Sequence, residues 1–192
     1  MNLTEQQLLD NYTKLRNIVN ETFTGERLDN LNKMYDFFED RIIVAPASGK
    51  PNYHYAFAGG YVLHVLHIVD TARKLTKVYE SIGAVIDYTD EELVFAGLHH
   101  DFGKVGDLEY EYYLVQEDDW RRKKLNELFT QNPEMQFMGV TDRALWLLQH
   151  FDVKVSQLEW LAIKVSDGMY DDANVQYLKT FKPEHSFQSS LP

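Results

Sequence analysis

Three times along this chain a serine or threonine is followed, three residues later, by glutamate or glutamine at the head of an apolar run. These are Thr4-Glu-Gln-Gln7, Thr89-Asp-Glu-Glu92 and Ser156-Gln-Leu-Glu159. In such a capping box the hydroxyl accepts from a first-turn backbone N–H, and the later side chain reaches back to the capping N–H. Two donors that no helix can satisfy internally are thereby satisfied. Each box predicts a helix start. Thr141-Asp142 before RALWLLQHF predicts a fourth. Proline and glycine gather at 45–60 (APASGKPNYHYAFAGG), 103–106 and 131–139, which read as loops. Only RIIVAP at 41–46 reads as a strand, and a short one. With no internal repeat, low-complexity stretch or linker, the expectation is one all-α domain over residues 1–192. It is a compact bundle of about six or seven helices.

A chain of 192 residues is long enough to bury a sizeable core without covalent staples. Cysteine is absent, which excludes disulfides and thiolate chemistry. The opening MNLTEQQLLDNY has no basic stretch and no long apolar core, and no segment approaches the roughly 20 apolar residues of a membrane span. The expectation is a soluble, cytoplasmic protein without a membrane partner; a homo-oligomer stays open. A formal charge of −11 disfavours an extended nucleic acid as partner, because a phosphate backbone needs clustered cations. The one basic run, RRKK at 121–124, follows EDD at 117–119. It reads as a solvated face of mixed charge, with a local phosphate-contacting patch as the alternative.

In YVLHVLHIVDTARKLTKVYE, after Gly60, Val62, Val65, Leu66, Val69 and Ala72 recur at helical spacing and define a buried stripe. Helical rotation puts His64 at the border of that stripe, beside Ile68 and Leu75, and turns His67 towards the polar side. In the stretch ending AGLHHDFGK (96–104), Leu93, Ala96, Gly97 and His100 share a face, and Asp101 lies on the other flank of Gly97. His99 is rotated away, near Glu92 and Phe95. His100 and Asp101 therefore project from adjacent directions at a helix C-terminus, beside small residues that leave room for an ion. Imidazole with carboxylate suits zinc, manganese, iron, nickel or cobalt. The alternative is a histidine at the carboxyl end of the helix dipole, with Gly103 ending the helix.

Taken together, HYAFAGGYVLHVLHIVDTA (54–72) and AGLHHDFGK resemble the HD-domain metal-dependent phosphohydrolases. The resemblance covers roughly residues 50–175 and implies a compact helical bundle holding one divalent transition metal (Mn, Co, Ni, Fe or Zn). It makes His64 the first ligand and His100-Asp101 the doublet. Asp101 also orients water, and Lys104 lies near the substrate phosphate, where many nucleotidases of the superfamily carry a glutamate. In WLAIKVSDGMYDDAN, Asp167 matches the family's last metal-binding aspartate. On a second alignment Ser166 replaces a histidine, and that aspartate would lie on a helix beyond residue 192. His150, in LLQHFD, is a second-metal ligand, a phosphate contact or a helix-end residue. Arg143 and Lys50 could reach phosphates. Tyr53, Tyr55 and Phe57, or Tyr110, Tyr112 and Tyr113, are stacking walls or ordinary packing.

The activity so implied is hydrolysis of a phosphate ester or anhydride, with a nucleotide or another phosphorylated small molecule as partner. Two alternatives stand beside it. One is a 3′-5′ exonuclease-like HD enzyme, suggested by GGYVLH. The other is a degenerate HD domain that binds a nucleotide or a partner protein without catalysis.

Overall fold

The computed structural model describes residues 2–179, 187 and 189–191. Helices α1 (Glu5–Thr22), α2 (Gly25–Phe37) and α3 (Glu39–Val44) lead to a loop and the longest helix, α4 (Gly60–Ser81). Helix α5 (Asp90–His99) runs into a 3₁₀ turn at Phe102–Val105. A two-stranded hairpin follows, β1 (Tyr113–Val115) with β2 (Phe129–Gln131), and then α6 (Val140–His150), α7 (Gln157–Val165) and the short α8 (Val175–Leu178). Among the described residues the fold is all-α apart from that hairpin, whose antiparallel register pairs Leu114 with Thr130. No helix among the described residues is long and apolar enough to cross a membrane.

All three capping boxes start helices, α1, α5 and α7, with both reciprocal bonds in place. The fourth start lies two residues earlier than Thr141. Gly139 is the N-cap of α6, and Thr141 is buried inside its first turn. Helix α3 replaces the strand expected at 41–46. Its N–H groups are satisfied locally, Ile42 to the Phe38 carbonyl at 2.9 Å and Ala45 to that of Arg41 at 2.8 Å. The β preference of isoleucine and valine expresses fit to a neighbouring strand, and here the buried Ile42 meets the helical core instead.

One apolar cluster runs through the bundle, from Leu15 of α1 and Phe23, which caps that helix, through Val65 of α4 and Phe95 of α5 to Leu147 of α6 and Ile163 of α7. The stripe read on α4 is present: Val62, Val65 and Val69 are buried, and Leu66 and Ala72 pack partly buried against them. Arg27 joins α2 to α5 and α7. Its guanidinium donates to both Glu159 carboxylate oxygens at 2.7 and 2.8 Å and to Glu91 at 2.8 Å, while lying 4.0 Å from the centre of the Phe95 ring. Glu159 is buried and also closes the capping box of α7. The RRKK run forms an exposed turn in the hairpin connection. Arg121 pairs with Glu127, and both Arg122 and Lys123 pair with Asp119, so it is a solvated face of mixed charge.

Candidate metal centre

Close backbone approaches set the site. Gly97 on α5 faces Val69 on α4, and a Cβ there would sit 3.0 Å from the Val69 Cγ2, so its smallness brings the two helices together. That differs from leaving room for an ion, the role expected of small residues here. Gly103 has a similar part, since a Cβ would collide with the Val140 carbonyl at the start of α6. At the head of α4, Gly59 adopts a left-handed φ of 77° and Gly60 lies directly under the Tyr55 carbonyl. The two glycines thus let residues 54–58 fold back over the first turn of α4. His64 follows within that helix, and His100 caps α5 just before Asp101 opens the 3₁₀ turn.

Three side chains from these elements converge. His64 Nε2 lies 3.2 Å from Asp101 Oδ2 and 3.2 Å from His100 Nε2, and His100 Nε2 lies 3.6 Å from Asp101 Oδ2. Donors about 2.1 Å from a tetrahedral ion are roughly 3.4 Å apart, so this spacing is that of one coordination sphere. The tautomers agree with that fit. His100 Nδ1 lies 2.9 Å from the Gly97 carbonyl, which can only accept, so Nδ1 carries the proton and the Nε2 lone pair faces the cluster. Two imidazole nitrogens 3.2 Å apart then need either the His64 proton or a cation between them. Burial holds His100 below its ordinary pKa although Asp101 pulls the other way, which keeps the ring neutral and able to ligate.

His54 joins the group. Donor atoms of His54, His64 and Asp101 all lie within 4.8 Å of one another and could hold a metal ion. Its ring lies 4.5 Å from that of His64, centre to centre. Burial, then the neighbouring His64 and Lys104, lower the His54 pKa. Burial raises the Asp101 carboxyl, but His64, His100 and Lys104 more than offset this and hold it below the usual carboxylate range. Lys104 Nζ sits 2.7 Å from Asp101 Oδ2. The cluster is flanked on the Lys104 side by a cavity of about 220 Å³, walled by Pro46, Tyr112, Tyr113 and Phe129. On the His100 side lies a groove of about 370 Å³ with Ile68, Leu75 and Tyr88.

The other expected site residues are distributed differently. Asp167 is exposed ahead of a 3₁₀ turn and lies outside the His54–His64–Asp101 group. Desolvation of its carboxyl and the charge of Asp101 raise its pKa, so it shares the field of the cluster. Arg143 is buried and committed to backbone, donating to the carbonyls of Gly103 at 3.0 Å and Met138 at 3.1 Å while lying 5.0 Å from the centre of the Tyr112 ring. His150 ends α6 in the open, its ring against Trp146 and Phe151. Lys50 and Tyr53 border a separate cavity of about 400 Å³. His99 is turned away from the cluster, as its helical rotation predicts, and the structure buries it in the core. The residue missed by sequence reasoning is His54. Its one signal is the Gly59-Gly60 pair behind it, which marks a loop able to fold back on the next helix.

Comparison of the chain with family models, with curated proteins and with solved structures gives no match.

Proposed function

We propose that this protein is an HD-type, metal-dependent phosphohydrolase acting on a nucleotide. The observation that carries the reading is the meeting of His64 Nε2, His100 Nε2 and Asp101 Oδ2 at coordination spacing, with Lys104 beside them. A bound divalent transition metal supplies Lewis-acid polarisation of a phosphoryl oxygen and acidification of water. His64, His100 and Asp101 are the residues that would hold it, with His54 as a further donor. Asp101, low in pKa, keeps a carboxylate oxygen available to orient the attacking water. Lys104 offsets charge gathering on the phosphoryl oxygens. Arg143 acts at a distance: by gripping the Gly103 carbonyl it positions the turn that carries Lys104. The Tyr112–Tyr113 side of the adjoining cavity offers an aromatic wall for a base.

Lys104 stands where a carboxylic acid would otherwise protonate an alkoxide leaving group. A phosphate or pyrophosphate leaving group needs no such proton, so a nucleoside di- or triphosphate suits these residues better than a monoester. A second reading, a nucleotide-binding domain without turnover, is favoured by the position of Asp167 outside the donor group. One experiment separates them. The purified chain is reconstituted with Mn²⁺, Co²⁺ or Ni²⁺, its metal content is measured, and phosphate release is followed over a panel of nucleoside mono-, di- and triphosphates. Stoichiometric metal with release from anhydrides is expected, both lost in His64→Ala. Metal and nucleotide bound without release supports the second reading. Sub-stoichiometric metal, unaffected by His64→Ala, overturns the first.

A further inference from the structure

Residues 54–58 are tied to α4 by a contact that the proposed chemistry does not use. The Tyr55 hydroxyl lies 2.5 Å from Nδ1 of His67, one turn beyond His64 on the same helix. The Tyr55 ring also packs against both His64 and His67, 5.7 Å away in each case. Its backbone has a φ of 52°, a left-handed conformation disfavoured for a residue bearing a Cβ. Its carbonyl accepts from Ala47 N–H at 3.2 Å and Phe57 N–H at 2.9 Å, and it rests on Gly60. Tyr55 is therefore held at both its backbone and its hydroxyl, and the residue directly before it is His54. His67 is exposed and off the buried stripe of α4, so core packing does not account for the bond.

We infer that His67 is a positioning residue: by holding the Tyr55 hydroxyl it fixes the 54–55 segment so that His54 supplies a nitrogen alongside His64 and Asp101. The inference rests on the reading of the cluster as a metal centre. His54 is exposed on a loop, and a loop ligand that must be ordered on binding weakens affinity by the entropy of that ordering. The hydroxyl–imidazole bond orders it beforehand.

Co²⁺ titration of the metal-free full chain tests this, followed by calorimetry and by the visible absorption of the bound ion, which reports ligand number. Each of His54→Ala, Tyr55→Phe and His67→Ala is expected to weaken Co²⁺ binding about 10- to 100-fold and to change the spectrum. His67→Gln, whose amide still reaches the hydroxyl, is expected to restore most of the affinity. Because His67 acts through His54, the His54→Ala/His67→Ala double variant should bind no worse than His54→Ala alone. Unchanged binding in His54→Ala, or in His67→Ala, overturns the inference, as does an additive double variant. Should His67→Ala not fold in the metal-free state, Tyr55→Phe, which removes a single oxygen, decides the matter. His64→Ala keeps the two levels apart. Full Co²⁺ binding there defeats the metal-centre reading itself, whereas loss there with a normal His67→Ala defeats only the positioning role.

Discussion

His99 and His100 are neighbours in the chain and belong to different parts of the molecule. His99 is fully buried in the core, with Nδ1 donating to the Phe95 carbonyl at 2.7 Å and Nε2 accepting from the Tyr35 hydroxyl at 3.2 Å. Both its nitrogens are used, and burial pushes its pKa down to about 3. His100 uses only Nδ1 on backbone and leaves Nε2 facing His64 and Asp101. One residue of helical rotation, about 100°, separates a histidine that holds the fold from one with a lone pair to give. What distinguishes them is the number of nitrogens already committed, since both rings are kept neutral by burial.

The comparison breaks most visibly at His100. If the proposed phosphohydrolase activity holds, His100→Ala is expected to lower turnover by about 10³-fold or more, while the unfolding free energy of the metal-free protein moves by about 1 kcal/mol or less. Denaturant unfolding alongside a phosphate-release assay checks both halves. At the core contact of α2 with α5 and α7, Arg27→Ala is expected to cost about 3 kcal/mol of stability, because it strands the buried Glu159 carboxylate. Glu159→Gln in the same background should recover part of it, read from denaturant midpoints. His99→Ala comes next, with a loss of about 2–3 kcal/mol from the cavity and the orphaned Tyr35 hydroxyl, and with Co²⁺ affinity retained.

A pH series sharpens the contrast further. Below the ordinary histidine value of 6.5 the unfolded chain binds a proton that native His99 refuses down to about 3. Its contribution to stability is therefore complete above pH 6.5 and is lost as pH falls towards 3, by about 1.4 kcal/mol per pH unit. His99→Gln should flatten that part of the stability profile, and an unchanged slope would show that other groups govern it. The smallest effect is expected at His150, exposed with its ring tilted against that of Trp146. His150→Ala should shift stability by about 0.5 kcal/mol or less and leave Co²⁺ binding as it is.

Much of the fold and part of the site could be read from local pattern. The capping boxes at Thr4, Thr89 and Ser156 each start a helix because the bonds that make the signal lie within four residues. Helical rotation likewise sorted His64 from His67 and His100 from His99, since it depends only on spacing along one helix. RIIVAP failed because β propensity reports a neighbour that this fold does not provide. Thr141 failed because Gly139, with the Asp142 carboxylate folded back near it, caps α6 in its place. Arg143 reads as a residue that could reach a phosphate, yet three carbonyls claim it, and the furthest of these, Gly103, lies 40 residues away in the chain. His54 escaped because nothing local shows that a loop will return over the helix it precedes.

The sequence by itself thus determined where α1, α5 and α7 begin and which histidines of α4 and α5 turn towards one another, because those depend on bonds and angles within a few residues. Only the tertiary structure decided that His64, His100 and Asp101 meet, that His54 joins them, and that Arg143 serves the backbone. Those outcomes depend on how closely residues 54–58 approach the head of α4, α4 approaches α5 and the 3₁₀ turn approaches α6, distances set by the absence of a side chain at Gly60, Gly97 and Gly103.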